Sequence, residues 1–366
     1  MASSDHAPAV ARGNLELAVF DDPAAVDAQR WNELLALQPQ PTPFMRHEYL
    51  LALHQSGSAV PATGWNSRFV VLREEGSGDA AWLGACALYL KAHSYGEYVF
   101  DWAWADAYRR HGLDYYPKLL GAVPFTPVPG TRLLARDDAA RDALVRAIGV
   151  VAQQGGLSSA HLLFIEDADR RAFERAGWLI RHGVQFHWTR PQVAPPPHFD
   201  AFLASLQRDK RKKIAQERRR VAEAGIVFSV HEGATISSDD WDFFFRCYTL
   251  TYRAHHSTPY LKREFFRRMA SDMAPHWLMF IARRGEQRIA ASLIALDPAR
   301  RVAYGRYWGA VEYVPCLHFE ACYYQPLAWC IERGYASFEG GAQGEHKMAR
   351  GLLPVPTASA HWLADS

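Results

Sequence analysis

The sequence predicts an α/β protein built as two related halves, each a mixed sheet covered by helices. Three observations carry that expectation. The chain is 366 residues long, roughly twice what one hydrophobic core usually serves. A proline-rich stretch lies near its middle, and motif pairs recur in one order on either side of that stretch. An apolar fraction of 49% against 22% charged residues is that of an ordinary globular chain and excludes a disordered one.

The elements follow from period and punctuation. In the first half, helices are expected around 23–37 and 46–55, then alternating strands from Arg68 to Glu74 and Ala81 to Lys91, then a helix opened by Asp101 as its N-cap. RPQVAPPP, Arg190 to Pro197, has too many prolines for a helix or a central strand and reads as a linker. It divides the chain into halves at 1–194 and 195–366. After it comes one basic helical pattern with Phe202, Leu203, Leu206, Ile214 and Val221 as its apolar positions and Gly225 as its stop. Helices around 238–254 and 261–272 follow, with strands from Trp277 to Arg283 and Gln287 to Leu296 joined at Arg284-Gly285-Glu286. A helix entered at Leu317 and kinked by Pro326, then a short strand from Ala336 to Phe338, close the second half.

The repeat pairs Pro43–Leu50 with Pro259–Phe266, each after a Trp-led helix at Trp31 or Trp241. It pairs Tyr95-Gly96-Glu97-Tyr98 with Tyr304-Gly305-Arg306-Tyr307, and Tyr115-Tyr116-Pro117 with Tyr323-Tyr324-Gln325-Pro326. Ala176-Gly177 before Phe186-His187-Trp188 matches Arg350-Gly351 before Ala360-His361-Trp362. Self-similarity of this period means two copies of one architecture.

Forty-one basic residues against thirty-nine acidic ones do not mark the whole chain as a nucleic-acid binder. The charge is concentrated instead. Between Arg208 and Arg220 eight basic residues, Lys210, Arg211, Lys212 and Lys213 among them, face only Asp209 and Glu217. That face is either solvated or binds phosphate, in a nucleotide, a tRNA arm or an anionic head group. Five cysteines without a Cys-x-x-Cys indicate neither a disulfide framework nor a zinc ribbon. No apolar run reaches the length of a membrane span, and the start lacks a secretory pattern, so the expected location is cytoplasmic.

GEYVFDWAWADAYRRHGLDYYPKLLGAVPFTPVPG (Gly96 to Gly130), LHFEACYY (Leu317 to Tyr324) and FEGGAQGEHKMARGLLP (Phe338 to Pro354), set in that repeated order, resemble the FemAB-like predicted N-acyltransferases. The resemblance implies two tandem GNAT-like domains and transfer of an acyl or aminoacyl group to an amine, in cell-wall or peptidoglycan-related metabolism. It leaves acyl-CoA or aminoacyl-tRNA as the donor, a small-molecule or peptide amine as the acceptor, and tRNA or a nucleotide-linked ligand as a further partner. The acetyl-CoA fingerprint of the superfamily is absent; Arg109-Arg110-His111-Gly112-Leu113-Asp114 is the closest string.

The residues themselves place chemistry mainly in the second half. Gly340, Gly341 and Gly344 permit backbone that turns N–H groups toward an anion, with Glu339, Gln343, His346 and Lys347 beside them and Arg350 one turn on. His318, Glu320 and Tyr324 stand at the helix entry, where an imidazole or carboxylate can take the proton of an attacking amine. His318, Glu320, Glu339 and Lys347 are therefore the expected catalytic groups. Substrate contacts are expected from Arg306, Tyr324, the glycine loop and Arg350, and in the first half from Asp101, Trp104, Tyr108, Tyr116 and Lys118. No metal-ligand spacing and no Gly-x-Ser-x-Gly elbow occurs, which favours direct attack of the amine. The rival reading is a non-catalytic protein that uses its basic helix for RNA, nucleotide or anionic lipid.

Overall fold

The computed structural model describes residues 15–76, 82–341 and 344–364, with only the backbone of Glu345. The first half runs β1 (Leu15–Phe20), α1 (Ala28–Ala36), α2 (His47–Gln55), β2 (Trp65–Glu74), β3 (Trp82–Lys91), α3 (Trp102–Arg110), β4 (Lys118–Gly121), β5 (Leu134–Ala135), α4 (Asp138–Gln154), β6 (Ser159–Ile165), α5 (Asp167–Arg175) and β7 (Leu179–Thr189). After the proline-rich stretch follow α6 (Phe199–Ser205), α7 (Arg208–Glu223), β8 (Ile226–Glu232), α8 (Ser238–Ala254), α9 (Arg263–Asp272), β9 (Trp277–Arg284), β10 (Gln287–Asp297) and β11 (Val302–Ala310). The chain ends through α10 (Leu317–Phe319), a π-helical turn (Glu320–Tyr324), α11 (Gln325–Glu332), β12 (Ser337–Glu339), a 3-10 turn (Glu345–Arg350) and β13 (Leu353–Leu363). The two halves repeat one order, with the expected mixed α/β architecture. No helix among the described residues is long and apolar enough to cross a membrane.

Among the described residues the strands belong to one sheet, in the order β1-β2-β3-β4-β6-β13-β7-β12-β11-β10-β9-β8, with β5 beside β3. The halves exchange their last strands. β13 enters between β6 and β7, and β7 pairs on its other side with β12. One face of the sheet carries an aromatic core shared by both halves, where Phe44 meets Tyr304 at 5.1 Å and Tyr49 meets Phe265 at 5.3 Å. The other face holds separate cores under α4 and α5 and under α6, α7 and α11.

Several local expectations change. The single basic helix is two, because Leu206 is extended between α6 and α7. Asp101 stands at the N-cap position of α3 but makes no capping bond, since its carboxylate is taken by Tyr115 and Lys118. Pro326 enters in the first turn of α11, after the π-helical turn; the wide turn accommodates its missing N–H. Two of the repeat pairs are not structural equivalents. Tyr95–Tyr98 lies in the loop after β3 whereas Tyr304–Tyr307 lies within β11, and Tyr115-Tyr116-Pro117 precedes β4 whereas Tyr323-Tyr324 belongs to the π-helical turn.

Candidate active site

β11 and β12 run parallel for three residues only, Val302 to Tyr304 against Ser337 to Glu339. Past that point they part. Arg306 is the extra residue of a bulge, since Leu293 faces Tyr307 while Ile294 faces Gly305; a bulge bends its strand and re-aims its side chains. From Gly305 onward β11 keeps β10 on one side and has no ladder partner on the other among the described residues. The parted strands leave a cavity of about 140 Å³, walled by Ser292, Tyr307, Trp308, His318, Cys322, Tyr323 and Gly340.

The first half parts its equivalent strands, β4 and β6, after Gly121, but closes the gap. Gly130 bridges Ile165, and the buried Arg132 guanidinium donates to the carbonyls of Val128 at 2.5 Å, Leu163 at 3.0 Å and Gly130 at 3.2 Å. Val123, Phe125 and Val128 of the returning chain are buried in the shared core.

Around the open cavity the expected residues separate into groups. His318 projects into it, with its ring against Trp308 and Tyr323 at 5.1 and 5.7 Å. Burial, then the charges of His346, Arg350 and Lys347, pushes its imidazole down to about 4, so it is neutral near pH 7. Lys347 is buried, donates to the Gly341 carbonyl at 3.1 Å, and is pushed down to about 8 by burial. His346 lies 3.4 Å from the Tyr323 hydroxyl. Arg350 holds this corner together. Its guanidinium sits 3.5 Å over the Phe319 ring, donates to the His346 carbonyl at 2.7 Å, and donates to both oxygens of the buried Glu217 at 2.8 and 2.9 Å. Tyr324 donates to the same carboxylate.

Gly340 has a packing role rather than an anion-binding one. Its N–H donates to the Phe186 carbonyl, and a Cβ there would lie 2.4 Å from Leu352 Cδ2. Gly341 and Gly344 do take positive φ, and the His346 ring packs over Gly344. Gln343 lies outside the described residues. Glu339 and Glu320 do not join His318. Glu339 pairs across the sheet with His187, its Oε2 3.8 Å from that imidazole and without a hydrogen bond, and burial pushes its carboxyl up to about 8. Glu320 turns to Arg218 of α7 at 3.2 Å and to Gln325 at 2.8 Å. Arg306 ties the halves, donating to the Phe125 carbonyl at 2.9 Å. On α7, Lys210 is half-buried and Arg211, Lys212 and Lys213 are exposed; the charge of Lys213 is felt at His346.

The first-half residues gather into a separate buried network. Lys118 donates to Ser94 and Glu97, each at 2.8 Å, and to Asp101. Tyr115 donates to Asp101 at 2.8 Å and contacts His161 at 3.0 Å, which in turn meets His361 of β13 at 2.8 Å. Trp104 stacks on His161, Tyr108 packs on Tyr115, and the Tyr116 hydroxyl meets Ser94. Burial pushes Glu97 up and Lys91 down, each to about 7. Arg109–Asp114, the string nearest to an acetyl-CoA fingerprint, lies at the exposed end of α3 rather than between a strand and a helix N-terminus.

Sequence reading missed Glu217, Tyr323, His161 and His361. Glu217 carried a signal: with Ile214 and Val221 it recurs at i, i+3, i+7, on the buried face of α7.

The sequence profile of the FemAB-like family, described as peptidoglycan biosynthesis/recognition, matches residues 22–366. No curated protein matches the chain. Among solved structures, the C-terminal domain of a putative lysylphosphatidylglycerol synthetase from Agrobacterium fabrum superposes with a TM-score of 0.56 at 12% identity, over 93% of this chain and 92% of that one. L-PGS from Bacillus licheniformis gives 0.55 at 11% identity, with the same coverages of 93% and 92%. A conserved protein of unknown function from Bacteroides thetaiotaomicron gives 0.56 at 9% identity, over 95% of this chain and 100% of that one. At these identities the likeness is one of fold.

Proposed function

The chain belongs to the FemAB-like family, and from that premise we propose that it is an N-acyltransferase whose reacting centre is the gap between β11 and β12. The observation that carries this is the open, unpartnered edge of β11 facing His318, with Lys347 packed behind Gly340 of the cavity wall, its Cδ 3.6 Å from where a Cβ there would lie, set against a first half whose equivalent gap is closed. A cavity of about 140 Å³ has room for only about five water-sized groups. It takes the reacting end of a donor and leaves the carrier outside.

An amine held there attacks the acyl carbonyl. A C–N bond forms, the bond to the carrier's sulfur or oxygen breaks, and the amine loses a proton. Unpaired N–H groups along the β11 edge stabilise the developing oxyanion, a contribution that holding the reactants in place multiplies. Lys347 receives the proton in its neutral form, because a base near 8 matches the working pH better than an imidazole held near 4. His318, Tyr323 and His346 orient the acceptor. The carrier lies along α7, where Lys210, Arg211, Lys212 and Lys213 meet its phosphates; Lys213 being close enough to bias His346 supports this placement. The acceptor belongs to peptidoglycan-related metabolism, a reading supported by the family description.

Thermal shift with acyl-CoA, aminoacyl-tRNA and nucleotide-linked cell-wall precursors tests the reading, since a ligand that prefers the folded state raises its Tm. The donor raises Tm in wild type and less in His318→Ala, and its affinity falls with salt unless the four α7 residues are alanine. Equal binding by His318→Ala removes the donor from this cavity. Salt-independent binding removes the carrier from α7.

A further inference from the structure

α3 buries none of its residues. It rests on the sheet through Trp104 and Tyr108, whose rings meet His161 and Tyr115 at 5.5 and 5.3 Å. Its outer side, with the loop that returns to β4, forms an open groove of about 950 Å³ lined by Trp102, Asp106, Arg109, Leu113, Asp114 and Tyr116. Trp102 on the helix is 44% exposed and Leu113 in the loop after it 46%, apolar surface set side by side at the groove.

The groove is rigid where it matters. Tyr116 forms its floor over the buried Tyr115, and the buried network fixes both hydroxyls, Tyr115 on Asp101 and Tyr116 on Ser94. Lys118 joins the two anchors by donating to both. The floor is thus the half-buried Tyr116 ring, backed at 5.0 Å and 76° by the buried Tyr115, with the Trp102 ring at the rim.

We propose that this groove is a saccharide-binding site, in which Trp102 and Tyr116 stack on sugar rings while Asp106, Asp114 and Arg109 hydrogen-bond hydroxyl groups. The charge does not favour phosphate-rich ligands, because Arg109 and Arg110 both donate to Asp106, one to each oxygen, and with Asp114 the local charges balance and leave no excess cation. The open, shallow shape selects against a compact apolar ligand, which prefers enclosure. A chain of neutral, hydroxyl-rich rings suits both: apolar C–H faces for the aromatics and paired hydroxyls for the carboxylates. The site is separate from the acyl-transfer cavity and stands or falls independently of it.

The test is a titration of the full chain by NMR and tryptophan fluorescence, with a glucose tetramer, an N-acetylglucosamine tetramer and tetra-alanine as probes. One of the saccharides is expected to bind, and Trp102→Ala to weaken it about tenfold with Tm little changed, because the ring belongs to no buried core and meets Tyr95 at the surface. Asp114→Asn weakens it as well, and Lys347→Met leaves it at the wild-type level. The proposal is overturned by no saccharide binding up to about 10 mM, by equal binding to Trp102→Ala, or by tetra-alanine binding that Trp102→Ala abolishes.

Discussion

Arg350→Met is the perturbation that most sharply probes how the site is held. Glu217 is 7% exposed and Arg350 2%, and Nη2 of Arg350 donates to both carboxylate oxygens at 2.8 and 2.9 Å. Removing one partner of such a pair leaves an uncompensated buried charge, at a cost of about 3–5 kcal/mol. An unfolding entropy of about 2.1 cal/mol/K per residue over 366 residues converts this to a fall in Tm of about 4–7 °C if unfolding is cooperative. Arg350 also holds the His346 carbonyl and the Phe319 ring, so the turn carrying Lys347 loosens and acyl transfer slows beyond any loss of folded protein. Glu217→Gln with Arg350→Met removes both charges and should recover at least half of the lost stability, giving a coupling of about 2 kcal/mol in the double-mutant cycle. Calorimetry reads all four proteins. A single variant within about 1 °C of wild type, or a cycle with no coupling, would refute the reasoning.

Further predictions concern titration and packing. Burial lowers Lys347 from 10.5 to about 8, so the folded state binds fewer protons than the unfolded one between those values and stability rises with pH across that window. Lys347→Met is therefore more stable than wild type at pH 7, with the Tm difference gone by about pH 10.5; a constant difference would show that Lys347 is not desolvated. Burial raises Glu339 from 4.5 to about 8, so its contribution is fully present below 4.5 and is lost as pH rises through 8. Glu339→Gln should flatten that decline in a pH series of melts, and an unchanged slope contradicts the burial argument. Gly340→Ala forces a Cβ to within 2.4 Å of Leu352 Cδ2 and 2.9 Å of the Phe186 carbonyl; a loss of about 1–3 kcal/mol in denaturant melts is expected, and a neutral result would mean the turn moves freely.

Much of the fold was legible because its signals are local. The strands at Trp277–Arg284 and Gln287–Asp297 meet at Gly285, whose positive φ the hairpin turn uses, and Gly225 ends α7 as its position implied. The exchange of β7 and β13 was not legible, because nothing local distinguishes pairing within a half from pairing across it. Tyr304 and Tyr95 look alike in sequence, yet one is fully buried in a strand and the other exposed in a loop; short aromatic motifs do not fix an element. In the site, the glycines and basic residues after Glu339 were visible as a cluster. That Glu320 would turn toward Arg218, away from His318, depends on the π-helical turn, which no residue pattern announced. His161 and His361 belong to separate strands and meet only through the exchange.

The most direct test of the second-half site is acyl-transfer turnover, read by mass spectrometry of the N-acyl product, for wild type, Glu320→Gln, Glu339→Gln and Lys347→Met at pH 7 to 9. Wild type and Glu320→Gln should form product at rates that rise with pH through about 8, while Lys347→Met stays folded and loses about 10²-fold or more. Full activity of Lys347→Met, or an apparent pKa near 8 that vanishes only in Glu339→Gln, would contradict the account.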